Sequence, residues 1–171
     1  LVVKPAHDGS SIGVTKLAEP TVAALRKALE DAAGVRGDEV LVEEYIHGRE
    51  FTVAVLDGRA LPVIEIRAPE GDYDFNNKYF GDAVHYDCPA KLEDEAAATL
   101  GSLCERAFAA VGARGWSRID ALQRADGSFA LLEINTSPGM TPHSLVPMAA
   151  RAVGMDYADL CLKVLSLARC D

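Results

Sequence analysis

The sequence is short of positive charge, of cysteine and of long apolar runs, and each shortage argues against a class of protein. Lysine and arginine total 17 of the 171 residues against 26 aspartates and glutamates, a formal charge of −9. Nucleic-acid binding depends on basic side chains that contact phosphates, so we expect no nucleic-acid partner. No apolar run approaches the roughly 18 residues of a membrane span, so we expect no membrane partner either.

The four cysteines form no C-x-x-C pair and have no metal-ligand spacing, which argues against a zinc site. Cys104 and Cys161 fall within apolar helical patterns, so we expect reduced, buried thiols. Reduced cysteines favour a cytoplasmic location.

Hydrophobic residues make up 49% of the chain, enough to bury a core. Their periodicity predicts an α+β fold with mainly antiparallel sheets and helices on one side. We predict helices over 20–33, ended by Gly34, and over 93–111, 143–153 and 157–167. Strands are predicted over 39–46, 51–56, 60–66, 116–122 and 129–134, with a tight hairpin at Asp57-Gly58. Because residues 1–5 have the pattern of a strand end, we expect the chain to be part of a longer protein.

Two segments have features of a nucleotide site. In KPAHDGSSIGV (4–14), a lysine at a strand end precedes glycines and serines whose N–H and hydroxyl groups suit a phosphate. The spacing is not that of a Walker loop, and a surface hairpin is the alternative. In EEYI (43–46), followed by Glu50, extended backbone suits an adenine edge and a carboxylate suits ribose hydroxyls. The alternative there is an edge strand with solvated acids.

A third segment pairs two strands that carry polar residues at alternate positions. Arg118 and Asp120 share one face of their strand, and Glu133 and Asn135 share one face of the next. Carboxylate and amide oxygens are ligands that Mg²⁺ prefers, and an arginine suits a phosphate. We therefore predict a metal site on this face, with an ordinary solvated sheet as the alternative.

The turn-rich segment NTSPGMTPHSL (135–145) leads into a helix that we expect to start near Pro142. Backbone N–H groups at Ser144 and Leu145 would suit a carboxylate or phosphate at the helix start. Simple N-capping of the helix is the alternative.

Together these segments resemble one family. VKPAHDGSSIGV, VEEYIHGREFTVAVL, NNKYF, GWSRIDAL and LLEINTSPGMTPHSLVPMAARAVGM, in this order, are similar to D-alanine:D-alanine ligases of the ATP-grasp superfamily. The resemblance implies an ATP-grasp fold, in which two lobes of mainly antiparallel sheets flanked by helices close on ATP. Residues 1–49 would belong to the central lobe and 50–171 to the carboxy-terminal lobe, with a lid loop at 68–82. The family's amino-terminal domain has no counterpart here, and the whole enzyme would be a homodimer.

The resemblance also implies roles for individual residues. ATP phosphates would contact Lys4 and Lys78, while adenine and ribose would be held by Glu43, Glu44, Ile46 and Glu50. Two Mg²⁺ ions, or Mn²⁺, would be coordinated by Asp120, Glu133 and Asn135. Arg118 and the backbone of Gly139 would stabilise the reacting oxygens. Tyr79 would pack near the second D-alanine and join a hydrogen-bond triad with Ser10. Ser144 and Leu145 would receive the carboxylate of the second D-alanine.

The implied reaction joins two D-alanines through an acyl phosphate, for peptidoglycan synthesis. We expect this chain alone to have little or no ligase activity. The alternatives are a D-alanine:D-lactate or other ATP-grasp carboxylate–amine ligase, and a nucleotide-binding module without turnover.

Overall fold

A computed structural model of the chain describes residues 1–7, 12–36, 39–67 and 84–169. The predictions for Ser10, Lys78, Tyr79 and the lid loop 68–82 lie outside these residues. The chain divides into two compact units, one covering Leu1–Ile46 and the other His47–Arg67 and His85–Asp171. The assignment of 1–49 and 50–171 to the two lobes of the family stays a prediction.

The first unit is a three-stranded antiparallel sheet covered by one helix. Strands β1 (Val2–Pro5), β2 (Thr15–Lys16) and β3 (Val40–Glu43) lie in the order β2-β1-β3. Helix α1 (Val22–Arg36) buries Ala28 and Ala32 against Val3, because these alanines are four residues apart on one helix face. The prediction that Gly34 ends the helix was wrong, since the helix continues to Arg36. Gly34 lacks the positive φ of a helix-ending glycine.

The second unit is built on a larger antiparallel sheet. Its strands are β4 (Glu50–Leu56), β5 (Arg59–Ala60), β6 (Ile64–Arg67), β7 (His85–Asp87), β8 (Trp116–Gln123) and β9 (Phe129–Asn135). They lie in the order β7-β6-β4-β8-β9, and β5 pairs only with β4. The predicted hairpin at Asp57 and Gly58 is confirmed, with φ angles of 54° and 75° that a type I′ turn requires.

Helices cover both faces of this sheet. Helix α2 (Asp94–Ala110) packs Leu100, Cys104 and Phe108 on the face that carries Phe51, Val53 and Val55. Helices α3 (Leu145–Ala152) and α4 (Tyr157–Leu167) pack on the opposite face against Ala54, Leu56 and Ile64.

The expectation of helices on one side was therefore wrong. The unbroken run FTVAVL has the pattern of a strand that is buried on both faces. The predicted strand 39–46 was also too long, because β3 ends at Glu43.

The described cysteines are free thiols at three positions. Cys104 is buried in the core, as predicted, and burial raises its pKa to about 12, so it is an unreactive thiol at neutral pH. Cys161 is only half-buried on α4, so the expectation of a buried thiol was wrong at that position. Among the helices that the structure describes, none is long and apolar enough to cross a membrane.

The start of β4 is held by a charged network. Arg49 donates two hydrogen bonds to the buried carboxylate of Glu65, both at 2.8 Å, and one to the carbonyl oxygen of Lys91, also at 2.8 Å. Arg67 bridges Glu65 to Asp87. These interactions join β4, β6 and the segment after β7, on the sheet face that α2 also covers.

Gly48 makes the closest backbone approach in this region. A Cβ atom at Gly48 would lie 1.7 Å from the carbonyl oxygen of Gln123, and the N–H of Gln123 donates to the carbonyl oxygen of Arg49 at 2.9 Å. Only a residue without a side chain fits, because the obstructing atom belongs to the backbone of β8.

We predict that Gly48→Ala lowers the free energy of unfolding by about 3 kcal/mol, because β4 and β8 must separate to admit the methyl group. The measurement is urea unfolding followed by circular dichroism. Gly34→Ala is the control, since its Cβ meets nothing within 4 Å and alanine favours the helix by about 1 kcal/mol. An equal effect of the two substitutions would contradict the prediction.

A second prediction concerns pH. The Arg49 hydrogen bonds lower the pKa of Glu65, so the pair stabilises the fold above the ordinary pKa of a glutamate and this stabilisation is lost as pH falls through the lowered value. Glu65→Gln should cost about 2 kcal/mol at pH 7, and the difference from the parent should shrink below about pH 4.

Unfolding of both proteins across this pH range measures that difference. Glu19→Gln, at an exposed position, should show little difference at any pH. A Glu65→Gln difference that stayed constant from pH 7 to pH 3 would contradict the ion-pair account.

Candidate active site

Strands β8 and β9 place the four predicted polar residues on one face of the sheet. In the antiparallel register Arg118 lies opposite Asn135, and Asp120 lies opposite Glu133. Directly opposed residues in antiparallel strands have neighbouring side chains. The sequence prediction that these four residues share a face is therefore confirmed.

The placement of Glu133 on this face depends on a β-bulge in β9. The register shifts after Asp120, so Ala121 pairs with Leu131 and Leu132 is the additional residue of β9. Because of this extra residue, Leu131 packs on the α2 side of the sheet while Glu133 lies on the opposite side. Strand β9 thus contributes one side chain to the hydrophobic core and another to the polar face.

Asp120 is the most tightly held of the four. Its carboxylate accepts hydrogen bonds from Thr52 Oγ1 at 2.6 Å and from Arg118 Nε at 2.9 Å on Oδ1, and from Arg118 Nη2 at 2.8 Å on Oδ2. Asp120 is 5% exposed and Thr52 1%. A buried carboxylate is tolerated because it is paired and hydrogen-bonded in this way. The same contacts fix the plane of the Arg118 guanidinium.

Glu133 and Asn135 are more accessible. The Glu133 side chain is 53% exposed and its carboxylate lies 3.7 Å from Arg118 Nη2. Asn135 is half-buried, and its Oδ1 accepts a hydrogen bond from the N–H of Ser137 at 3.0 Å. That bond orients the amide oxygen at the end of β9.

The donor set fits a hard divalent cation. A carboxylate offers about four lone-pair positions, and three on Asp120 are already used, which leaves one on Oδ2. Glu133 and Asn135 add carboxylate and amide oxygens, the ligand types of Mg²⁺. Among the described residues no group of three or more His, Cys, Asp and Glu side chains is placed for a metal. Two carboxylates with one amide match a cation that keeps water or phosphate ligands.

In the first unit, the structure brings together Lys4 and Glu43. Lys4 Nζ lies 2.7 Å from Glu43 Oε2, because β1 and β3 are adjacent and Val2 is the direct partner of Glu43. Glu44 and Ile46 follow β3 as backbone that belongs to no strand, with Glu44 exposed.

In the second unit, Glu50 is the first residue of β4. It is half-buried and lies opposite Ile66 and Leu122, on the same face as Thr52.

The loop after β9 carries the remaining predicted residues. Helix α3 begins at Leu145, three residues later than the predicted start at Pro142, with Ser144 as its N-cap residue. The Ser144 side chain makes no hydrogen bond to the helix and instead accepts one from the N–H of Thr141 at 3.0 Å. The Ser144 N–H donates to the Thr141 carbonyl oxygen at 2.9 Å. Simple side-chain N-capping is therefore not what the structure has.

Gly139 lies against Ser144. A Cβ atom at Gly139 would come within 3.1 Å of Ser144 Oγ, so the absence of a side chain lets the loop backbone approach the helix start.

Three side chains that contact the site were not predicted from the sequence. Thr52 donates to Asp120, while Arg151 and Tyr157 donate to carbonyl oxygens of the loop after β9. For Thr52 a signal existed, namely one polar residue within the apolar run FTVAVL. Arg151 and Tyr157 have the pattern of ordinary exposed helix residues.

The antiparallel sheets flanked by helices form an α+β fold, and the solved structures that match the chain place this fold in the ATP-grasp class. The family model described as D-ala D-ala ligase C-terminus matches residues 1–166. The chain belongs to this family.

Curated relatives agree. The D-alanine–D-alanine ligase of Bordetella petrii is 52% identical over 99% of this chain and 52% of its own length. The ligase of Bordetella pertussis is 53% identical, over 99% of this chain and 54% of its own length. The chain spans about half the length of the curated relatives it matches.

Two solved structures of D-alanine–D-alanine ligase from Bacillus anthracis have the same fold. One superposes with a TM-score of 0.82 at 32% identity, covering 97% of this chain and 53% of that one. The other, a complex with ATP, superposes with a TM-score of 0.77 at 28% identity, covering 97% of this chain and 49% of that one.

We predict that Thr52→Val lowers the free energy of unfolding by about 1–2 kcal/mol, because the buried carboxylate of Asp120 loses a donor. Thr52→Ser is the matched control, since it keeps the hydroxyl and removes only a methyl group. Urea unfolding at pH 7 measures both. A valine variant as stable as the parent would contradict the account of how Asp120 is held.

Proposed function

We propose that the protein containing these residues is an ATP-dependent D-alanine:D-alanine ligase, and that this chain supplies its ATP-binding and metal-binding portion. The main support for this function is the sheet face on which four polar residues lie together: Arg118, Asp120, Glu133 and Asn135. Relatives about 50% identical bear this enzyme's name, and one neighbouring structure is a complex with ATP.

Asp120, Glu133 and Asn135 are proposed to hold Mg²⁺ or Mn²⁺, two ions in all, through oxygen ligands of suitable chemistry. When bound, the cations would neutralise charge on the phosphate oxygens. Lys4 would add positive charge at the phosphates, while Glu43, the backbone of Glu44 and Ile46, and Glu50 would hold adenine and ribose. Lys78, Ser10 and Tyr79 are proposed for the phosphate and substrate roles that the family resemblance implies.

The reaction proposed has two steps. A carboxylate oxygen of the first D-alanine attacks the γ-phosphorus of ATP, which forms an acyl phosphate and releases ADP. The amine nitrogen of the second D-alanine then attacks the acyl carbon, a proton leaves the nitrogen, and the carbon–oxygen bond to phosphate breaks. The products are D-alanyl-D-alanine, ADP and inorganic phosphate.

Arg118 suits the stabilising role because its orientation is set before substrate binds. Asp120 fixes the guanidinium through Nε and Nη2, so little reorganisation is needed when negative charge develops on reacting oxygens. The backbone at Gly139 is proposed to contribute a donor to the same oxygens. Ser144 and Leu145, at the start of α3, would receive the acceptor carboxylate, which the positive end of the helix dipole favours.

The proposed location follows from this activity, and the proposed assembly follows from the family resemblance. We propose that the enzyme acts in the cytoplasm, where ATP is available, as a homodimer, and that its product serves peptidoglycan synthesis. The free thiols at Cys88, Cys104 and Cys161 are consistent with a reducing compartment.

We predict that Glu133→Gln in the complete protein raises the Mg²⁺ concentration needed for half-maximal phosphate release roughly tenfold or more, because an anionic ligand becomes neutral. Phosphate release from ATP with D-alanine, titrated with Mg²⁺, measures this. Glu95→Gln, exposed on α2, is the control and should leave the titration unchanged. Unchanged metal dependence in Glu133→Gln would overturn the ligand assignment.

The activity itself is tested with the complete protein, ATP, Mg²⁺ and D-alanine, with and without D-lactate. D-Alanyl-D-alanine as the main product supports the proposal, whereas a depsipeptide product would indicate the D-lactate alternative. ATP binding without any product would indicate a nucleotide-binding module. This chain alone should release little phosphate.

A further inference from the structure

The loop between β9 and α3 is held by side chains from the two helices that follow it. Arg151 Nη1, on α3, donates to the carbonyl oxygen of Pro142 at 2.7 Å. The Tyr157 hydroxyl, at the first residue of α4, donates to the carbonyl oxygen of Met140. Neither bond belongs to a helix or a sheet, so each one fixes loop backbone that regular structure leaves unconstrained.

These bonds combine with those of Ser144 to fix consecutive peptide groups. The group joining Met140 and Thr141 is held at both ends, since its C=O accepts from Tyr157 and its N–H donates to Ser144 Oγ at 3.0 Å. The next C=O, that of Thr141, accepts from the Ser144 N–H at 2.9 Å, and the one after it accepts from Arg151. Because the C=O and N–H of a planar trans peptide point in opposite directions, a held carbonyl also fixes the direction of the N–H in the same peptide group. This applies to the N–H groups of Thr141 and His143, since Pro142 has none.

The fixed segment lies between the two elements assigned to the substrate. Gly139 is directly before it, and its Cα lies close enough to Ser144 that a Cβ would be 3.1 Å from Ser144 Oγ. Ser144 and Leu145 are directly after it. Any rotation of the peptide groups between them would move the Gly139 backbone relative to the start of α3.

Arg151 also carries charge to the start of its own helix. It lies in the last turn of α3, yet its guanidinium reaches the carbonyl oxygen of Pro142, which precedes the helix. A cation there adds to the partial positive charge of the first turn. The same side chain therefore holds the loop and favours an anion at the helix start.

We propose that Arg151 and Tyr157 are positioning residues for the acceptor substrate: they hold the segment 140–143 so that the Gly139 backbone and the Ser144–Leu145 helix start keep the spacing that a short amino acid needs. This inference rests on the proposed function. Neither residue touches the reacting atoms, so both act through the loop.

The test compares Tyr157→Phe, Arg151→Gln and the double variant with the parent in the complete protein. Each single variant loses one hydrogen bond and should raise the KM for the second, acceptor D-alanine roughly three- to tenfold, the factor that one hydrogen bond contributes. The KM for ATP should stay within about twofold, because the residues proposed to hold adenine and ribose, Glu43 and Glu50, lie outside this loop. Arg106→Gln, at an exposed position on α2, is the matched control and should change neither constant.

A second readout does not depend on activity. Hydrogen exchange of the Thr141 and Ser144 amides should become faster in Tyr157→Phe and Arg151→Gln, while amides of β8 stay protected. Arg151→Lys, which retains the charge, should restore part of the D-alanine KM.

The outcomes separate the two proposals. A parent protein that makes no D-alanyl-D-alanine would contradict the proposed function. An active parent whose variants keep the D-alanine KM and the loop exchange rates would overturn the positioning role alone. Equal losses in both KM values, or faster exchange throughout the unit, would show a general structural effect and would likewise overturn it.

Discussion

The candidate site depends on the hydrogen bonds that the buried carboxylate of Asp120 accepts, two from Arg118 and one from Thr52. Removing Arg118 would leave Asp120 as an uncompensated buried charge, which costs several kcal/mol. The Thr52 bond requires Thr52 opposite Asp120 in the β4–β8 register, and the polar face requires Glu133 opposite Asp120 in the β8–β9 register. Strand register therefore fixes the chemistry, because a slip by one residue would turn every side chain to the opposite face.

One sheet serves packing and chemistry by dividing its faces. The face under α2 is apolar along β4, from Phe51 to Val55. The other face changes character along the strand: Ala54 and Leu56 pack under α3 and α4, whereas Glu50 and Thr52 begin the polar end. The helices that bury the apolar end also carry the loop after β9. Packing of α3 and α4 at the apolar end of the face therefore also holds the backbone of the loop at the polar end. This suits a site that must be preorganised.

Much of this arrangement followed from local pattern. Alternation along β8 and β9 predicted that Arg118, Asp120, Glu133 and Asn135 share a face, and apolar spacing predicted helix α2 to within one residue at each end. What pattern could not supply was non-local. The bulge at Leu132, the bond from Thr52 and the anchoring of the loop by Arg151 and Tyr157 each depend on which segments meet. Helices on both faces could have been predicted from the run FTVAVL, because a strand covered on only one face would alternate apolar and polar residues and this run does not.

The most direct test of the central claim uses Mn²⁺ with ATP as a paramagnetic probe in the complete protein, observed by NMR of backbone amides. Substoichiometric Mn²⁺ should broaden the signals of Asp120, Glu133 and Asn135 before any others in β8 and β9, and Mg²⁺ should reverse the effect. Broadening confined to other acidic surfaces, with these three signals unchanged, would contradict the account.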